Sequence, residues 1–327
     1  MHSKKIHLVI AALAAIMSIR MLGLFMILPV FSVYAETIPG ATATLIGLTL
    51  GIYGLTQAAL QIPLGMLSDR IGRKPVIIAG LSCLLVGSVI AALSHSIYFL
   101  MLGRALQGAG AIGSTVLALV ADVTRDSFRG KAMAIIGLAI AAAFTMAMIA
   151  GPVLNHWFHL SGIFWMTGVL ACAGAALLGL VPTPPKPLKI ARLSAPTKLW
   201  RLNVGIGALH AILTALFIAI PLVLTRTLGL SSETQMIAYF CVLLAAFACA
   251  LPLISLAERQ RQLKMFFIIA VIVVFIVQFG LLFLHRNVYF TVAGLFVFFT
   301  AFTFLEANLP SMVSKMAPVT NKGAAMG

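Results

Sequence analysis

Residues 65–75, Gly65-Met66-Leu67-Ser68-Asp69-Arg70-Ile71-Gly72-Arg73-Lys74-Pro75, form a short charged stretch between two long apolar segments. Its polar residues follow the pattern Gly-x-x-x-Asp-Arg-x-Gly-Arg-Lys. Gly72 permits a chain reversal because it lacks a Cβ, and Asp69 is expected to face the positive N-terminal end of a neighbouring helix. The adjoining cations are typical of a turn on the cytoplasmic side of a membrane. The stretch therefore predicts a tight cytoplasmic turn between two membrane-spanning helices, with a merely basic turn as the alternative.

The composition of the whole chain agrees with a membrane protein. Of its 327 residues, 62% are hydrophobic and 9% are charged, whereas about 25% of a soluble domain is charged. The mean hydropathy is +1.12. Apolar runs alternate with short polar turns, which predicts an all-α polytopic fold with about ten membrane-spanning helices.

The distribution of Lys and Arg predicts the orientation in the membrane. Of the 22 Lys and Arg residues, 18 lie on the side of the predicted N-terminus, two on the other side (Arg226 and Arg286) and two inside predicted spans (Arg20 and Arg104). The positive-inside rule then places the N-terminus in the cytoplasm. Because the net charge of +15 follows this pattern, we expect no nucleic-acid partner.

The chain divides into two related halves. We predict a six-helix bundle at 1–181, a proline-rich basic cytoplasmic linker at 182–201, and a second bundle of four helices at 202–327. Phe25-x-x-x-Pro29 recurs as Phe217-x-x-x-Pro221, and further matches occur in the same order, as in transporters with duplicated halves. One such match pairs the start of helix 5 with 322–326, so we expect the last two helices to be missing. A fragment and a truncated gene product both remain open.

Three segments carry a resemblance to a known family. The turn at 65–75 resembles the loop between the second and third helices of the major facilitator superfamily of transporters. Arg104-x-x-Gln107-Gly108 in helix 4 is similar to the family's Arg-x-x-Gln-Gly signature. Gly151-Pro152 in helix 5 resembles the signature of the drug:proton antiporter branch, although Ala147 stands where glycine is usual.

The segments around Arg20 and Glu306 also resemble the YajR-type transporters of bacterial inner membranes. This resemblance implies two pseudo-symmetric bundles around a central cavity, with helices 1, 4, 7 and 10 lining it. It also implies a gating loop whose aspartate contacts the N-terminus of helix 11, represented here only by 323–327. That loop would comprise Gly65, Asp69, Arg70, Gly72, Arg73, Lys74 and Asp122, with Asp122 a partner of Arg70 or Arg73.

Ionisable groups inside a bilayer are costly and usually functional. We find four, namely Arg20, Arg104, His210 and Glu306, on the helices that the resemblance places around the cavity. Together with Gln107 they form the predicted proton and substrate pathway. We expect Glu306 to exchange protons, His210 to assist it, and Arg20 to hold a substrate anion or to modulate Glu306. Structural alternatives remain for two of them: Arg104 as a partner of backbone carbonyls and His210 as a neutral packing residue.

These observations favour a secondary transporter in a bacterial inner membrane. We expect proton-coupled export of a small drug-like compound or metabolite by a monomer, through alternating access. The alternative is a truncated remnant that keeps the fold but is inactive or depends on a partner. An enzyme is disfavoured, since the chain has no Gly-x-Ser-x-Gly, Walker or His-Glu-x-x-His motif. No cofactor and no metal site are predicted, because the four cysteines lack Cys-x-x-Cys spacing.

Overall fold

The computed structural model describes residues 3–183 and 197–316, and all regular structure within these ranges is helical. The first half contains seven α-helices and the second half four. The bounds are α1 Ser3–Phe25, α2 Leu28–Ala35, α3 Ala43–Ile71, α4 Arg73–Ala92, α5 Ile97–Ala109, α6 Gly113–Val123, α7 Asp126–Leu177, α8 Thr197–Leu222, α9 Ser232–Arg259, α10 Leu263–Leu284 and α11 Val288–Met316.

The helices provide ten membrane crossings, as the sequence predicts. In the described ranges, nine helical stretches are long and apolar enough to span a bilayer. One of them, Lys131–Leu180, has 50 residues. At about 1.5 Å per residue it is about 75 Å long, more than twice the hydrocarbon thickness. It bends at His159, where φ is 56° and ψ is −173°, so α7 supplies two crossings.

Three of the predicted spans depart from a continuous α-helix. The first breaks between α1 and α2, where Pro29 occupies the first turn of α2. The fourth breaks between α5 and α6 at Gly110–Ile112. The seventh ends in a π-helical turn, Val223–Thr227, just after Pro221. Proline cannot donate a backbone hydrogen bond, which weakens the helix around Pro29 and Pro221.

The halves are linked through a region that is only partly described. Residues 184–196 of the predicted linker lie outside the described residues, whereas 197–201 already form the start of α8. Within the first half, α7 packs against α1 and α4, and α5 packs against α3 and α4. In the second half α11 packs against α9 and α10, and contacts of α2 with α8 and of α7 with α9 join the halves. Below, the basic side is the end of the bundle that carries the turn at Gly72, and the opposite side is the other end.

Candidate functional site

Arg73 holds the charged turn between α3 and α4 together. Gly72 has a φ of 104°, a conformation that side-chain-bearing residues rarely adopt. The Arg73 side chain is only 8% exposed and forms an ion pair with Asp69. Its Nε donates to Oδ2 of Asp122 at 2.9 Å, and its Nη1 donates to Oγ of Ser68 at 2.7 Å. Arg73 thereby ties the turn to the end of α6.

These contacts select one of the two predicted partners of Asp122. The partner is Arg73, whereas Arg70 is exposed. Ser68, which the sequence did not single out, donates to the carbonyl of the buried Gly65 at 2.6 Å and so connects both ends of the turn. The predicted contact of the aspartate with helix 11 falls on 323–327, outside the described residues.

Arg104 and Gln107 lie together inside the first bundle. Arg104 is 1% exposed, and its Nη1 donates to Oε1 of Gln107 at 2.8 Å. The Gln107 amide donates in turn to Oγ of Ser88 on α4, also at 2.8 Å. The guanidinium carbon of Arg104 lies 4.6 Å from the ring centre of Tyr53 on α3, within the range of a cation–π contact. The pair therefore connects three helices of the bundle.

Close packing between helices occurs where the sequence did not predict it. The spacing Gly47-x-x-x-Gly51 is typical of tight helix packing, but a Cβ added at Gly51 would meet nothing within 4 Å. The tight contact lies instead between α4 and α5. A Cβ at Gly87 would lie 2.6 Å from the carbonyl oxygen of Gly103, and a Cβ at Gly103 would lie 2.7 Å from that of Gly87.

The helix-5 signature packs against the bend in the first span. A Cβ added at Gly151 would collide with the backbone carbonyl of Met26, which lies between α1 and α2. Pro152 follows inside α7. Gly151 thus allows the fifth crossing to touch the backbone at the interruption of the first.

His210 and Glu306 meet on neighbouring helices of the second half. Nε2 of His210 lies 3.7 Å from Oε1 of Glu306, and the two side chains are 34% and 24% exposed. Nδ1 of His210 lies 3.0 Å from the carbonyl oxygen of Ile206 and donates to it. Because Nδ1 carries that hydrogen, Nε2 is the nitrogen that faces the carboxyl group. At 3.7 Å the two groups are within ion-pair range but too far apart for a hydrogen bond.

An aromatic cluster joins the halves. Phe144 of α7 packs against Phe25 of α1 at 4.8 Å between ring centres, and against Phe302 of α11 at 5.8 Å. Phe299 of α11 lies 5.8 Å from Phe217 of α8. Phe25 and Phe217 are the residues of the repeated Phe-x-x-x-Pro pattern, and both are buried. The duplicated motif therefore contributes one ring from each half.

Two polar contacts close the opposite side. Oγ of the fully buried Ser32 donates to the carbonyl oxygen of Phe217 at 3.2 Å. That carbonyl lacks its usual helical donor because the residue four positions later is Pro221. Further out, Arg226 forms an ion pair with Glu36. The sequence signalled these contacts only through the prolines, and Ser32 and Glu36 were not predicted as site residues.

Arg20 lies apart from the other predicted pathway residues. It is 2% exposed, and its Nη1 would lie 3.1 Å from a Cβ added at Gly113 of α6. In the described part of the chain, neither an ion pair nor a hydrogen bond joins it to Glu306. The structure thus brings His210 to Glu306 and Arg104 to Gln107, but leaves Arg20 in the first bundle.

Comparison with known proteins agrees with this architecture. The family model of the Major Facilitator Superfamily matches residues 13–327. The inner membrane transport protein YajR of Escherichia coli (strain K12) is 42% identical over 326 residues, which cover 96% of this chain and 72% of that protein. The uncharacterized transporter BU466 of Buchnera aphidicola subsp. Acyrthosiphon pisum is 33% identical over 322 residues, covering 94% of this chain and 82% of BU466.

A solved structure has a similar fold at lower sequence identity. The bacterial homologue of the human lysosomal transporter Spinster, in an inward-facing and unoccupied conformation, gives a TM-score of 0.73 at 16% identity. The match covers 100% of this chain and 78% of that one. The chain therefore belongs to the Major Facilitator Superfamily and is a multi-pass membrane transporter rather than an enzyme.

Proposed function

We propose that this transporter exports a small drug-like compound or metabolite in exchange for protons, by alternating access across a bacterial inner membrane. In this proposal the protein acts as a monomer with a cytoplasmic N-terminus, as the distribution of Lys and Arg indicates. The basic side is then the cytoplasmic side. The name of its relative YajR, an inner membrane transport protein, supports this location.

The observation that carries the proposal is the pair formed by His210 and Glu306. Glu306 is the one acid that the sequence places well inside a span, and it lies 3.7 Å from Nε2 of His210. Both side chains are partly exposed, so the packed bundle does not seal them off completely. A carboxyl group next to an imidazole can release a proton at one stage of the cycle and rebind it at another.

The remaining pathway residues have supporting roles in this proposal. Arg104 and Gln107 hold the wall of the pathway through their contacts with Ser88 and Tyr53. The ion pairs of Arg73 with Asp69 and Asp122 form the cytoplasmic part of the gate. The contacts of Ser32 and Glu36 with the second half form its outer part.

Proton release from reconstituted vesicles tests the proposal. Susceptibility profiling of a strain that overproduces the full chain first selects a compound to which that strain becomes more tolerant. Addition of that compound to proteoliposomes with an imposed pH gradient should then release protons, seen as recovery of a quenched pH-sensitive dye. We expect Glu306→Gln to abolish the release and His210→Gln to slow it at least about tenfold, since general acid–base groups typically contribute 10²–10⁴-fold.

Glu233→Gln is the matched control. Glu233 lies exposed in the first turn of α9, on the opposite side of the bundle. The substitution removes one carboxylate away from the pair of His210 and Glu306, so proton release should match that of the unmodified protein. Unchanged proton release by Glu306→Gln would remove Glu306 from the mechanism and refute the proposed coupling.

A further inference from the structure

Arg20 is a buried cation with unused hydrogen-bond donors. Its side chain is 2% exposed, and both Nε and Nη2 are fully buried without a hydrogen-bond partner in the described part of the chain. A buried charge is normally paired, because its transfer out of water is otherwise very costly. Arg104, whose Nε is likewise unpartnered there, differs because its Nη1 donates to Gln107 and its guanidinium lies over the ring of Tyr53.

In the described part of the chain, no acidic side chain is paired with Arg20. The sequence has seven Asp and Glu residues, and the structure describes the side chains of six of them. Asp69 and Asp122 pair with Arg73, Glu36 pairs with Arg226, and Glu306 lies beside His210. Glu233 and Glu258 are exposed on α9, and Asp126 opens α7 at the basic side.

Other polar groups with unused atoms surround Arg20. A Cβ added at Gly113 would lie 3.1 Å from Nη1 of Arg20 and 3.3 Å from Nε2 of Gln61, so two donors converge over this glycine. Thr115 is also fully buried, and its hydroxyl has no partner in the described part of the chain, but it lies two residues beyond Gly113 on α6 and so does not share the face of Gly113. Oε1 of Gln61 and Oε1 of Gln57, one turn earlier on α3, are likewise unpartnered there.

The surroundings also include an apolar contact. The methyl group of Met17 would lie 3.6 Å from the same added Cβ at Gly113. Gln57 and Gln61 are only half-buried, whereas Arg20 and Thr115 are buried. The site therefore has a charged end within the first bundle, an apolar wall, and a more accessible polar edge on α3.

We propose that Arg20 and Gln61 bind the carboxylate of a small amphipathic organic anion above Gly113. This inference rests on the proposed transport function and names the class of compound that the first bundle binds. The guanidinium supplies charge and two directed donors, which match a carboxylate. The Gln57 and Gln61 oxygens accept hydrogen bonds from water or from donors elsewhere on the ligand. Because a Cβ at Gly113 would already lie 3.1 Å from Arg20 and 3.3 Å from Gln61, these two side chains must move apart to admit the carboxylate.

Binding of benzoate to the purified full chain tests the proposal. Benzoate is titrated into protein in lipid nanodiscs, in a chloride-free buffer, and the thermal unfolding temperature is recorded at each concentration. Benzamide has nearly the same shape without the charge. We expect stabilisation by benzoate and none by benzamide. Arg20→Gln should weaken the apparent Kd for benzoate at least about tenfold, since hydrogen bonds to charged groups are strong.

A second pair of variants leaves the charge of Arg20 in place. Gly113→Ala places a methyl group against Arg20 and Gln61 and should also weaken benzoate binding at least about tenfold, whereas Gly137→Ala meets nothing within 4 Å and should leave it unchanged. Arg286→Gln, which removes an exposed cation, should likewise leave the Kd within about twofold.

Three results would overturn the proposal. They are equal effects of benzoate and benzamide, unchanged benzoate affinity in both Arg20→Gln and Gly113→Ala, and Arg20-dependent stabilisation by chloride but not by benzoate. The last would assign the site to an inorganic anion. The Glu306→Gln variant separates this inference from the coupling mechanism, since it should retain benzoate binding while losing proton release. If Glu306→Gln abolishes proton release but the unmodified protein does not bind benzoate, only the anion site is refuted and the coupling mechanism stands.

Discussion

The hydrogen bond from Ser32 to the carbonyl of Phe217 should control how long the opposite side stays closed. Ser32 and Phe217 are both fully buried, and their contact joins α2 of the first half to α8 of the second. Pro221 removes the amide that would otherwise bond to this carbonyl. Ser32→Ala therefore leaves a buried acceptor unsatisfied whenever the side is closed.

The magnitude follows from the difference between the closed and the open forms. An unsatisfied buried acceptor costs about 1–3 kcal/mol. In the open form water satisfies both groups, so that form is not penalised. Ser32→Ala should thus lower the ratio of closed to open protein by about 5-fold to about 150-fold.

Distance distributions between spin labels measure this ratio. The four native cysteines are replaced by serine. New cysteines at two exposed positions, Pro39 in a loop and Thr227 at the end of the π-helical turn, carry one label on each half. In nanodiscs, Ser32→Ala should increase the population at long distance. Ser94→Ala is the matched control, because Ser94 donates to the carbonyl of Ala91 within the first half only.

A double-mutant cycle tests the stated role of the proline. In a Pro221→Ala background residue 221 regains an amide that can bond to the Phe217 carbonyl, so Ser32→Ala should have a smaller effect there. If Ser32→Ala shifts the distribution no more than Ser94→Ala does, or shifts it equally in both backgrounds, the reasoning is refuted.

Two further predictions concern stability of the first bundle, measured by thermal unfolding in nanodiscs. Gly103→Ala should destabilise by about 1–3 kcal/mol, because its Cβ would lie 2.7 Å from a backbone carbonyl of α4. Gly51→Ala, with open space around it, should be neutral or stabilising, and equal melting of the two variants would contradict the packing argument. Arg73→Gln should destabilise by about 1–3 kcal/mol, since it leaves two carboxylates without their shared partner. The exposed Arg70→Gln should change stability by less than about 0.5 kcal/mol, and similar losses in both would argue against the assigned pairing.

Much of the candidate site is predictable because ionisable residues are rare in membrane spans. Glu306 and His210 stand out in apolar runs, and the repeat of three helices places their helices near each other. Their 3.7 Å separation agrees with that expectation. The transport roles of these residues stay predictions, as do those of Arg20 and Arg104.

Contacts that depend on backbone atoms were not predictable in the same way. The Ser32 bond uses a carbonyl that any residue at position 217 would offer, so residue type carries little signal. The Gly87–Gly103 contact depends on which faces of α4 and α5 meet, and the Gly-x-x-x-Gly spacing in α3 does not indicate it. Pro29 indicates a bend in the first span, but the interruption of the fourth span was missed because apolar residues continue through that break.

The sequence alone determined the class of the protein, its ten crossings and its charged turn, since hydropathy and residue type act locally along the chain. Tertiary structure decided which cation binds Asp122, which neighbours each buried charge contacts, and which backbone groups meet across the two halves. Those outcomes depend on how helices distant in sequence rotate and pack against one another. Arg20 shows the difference most clearly. The sequence alone places it inside a span, but only the assembled helices show that it has no counter-charge among the described side chains.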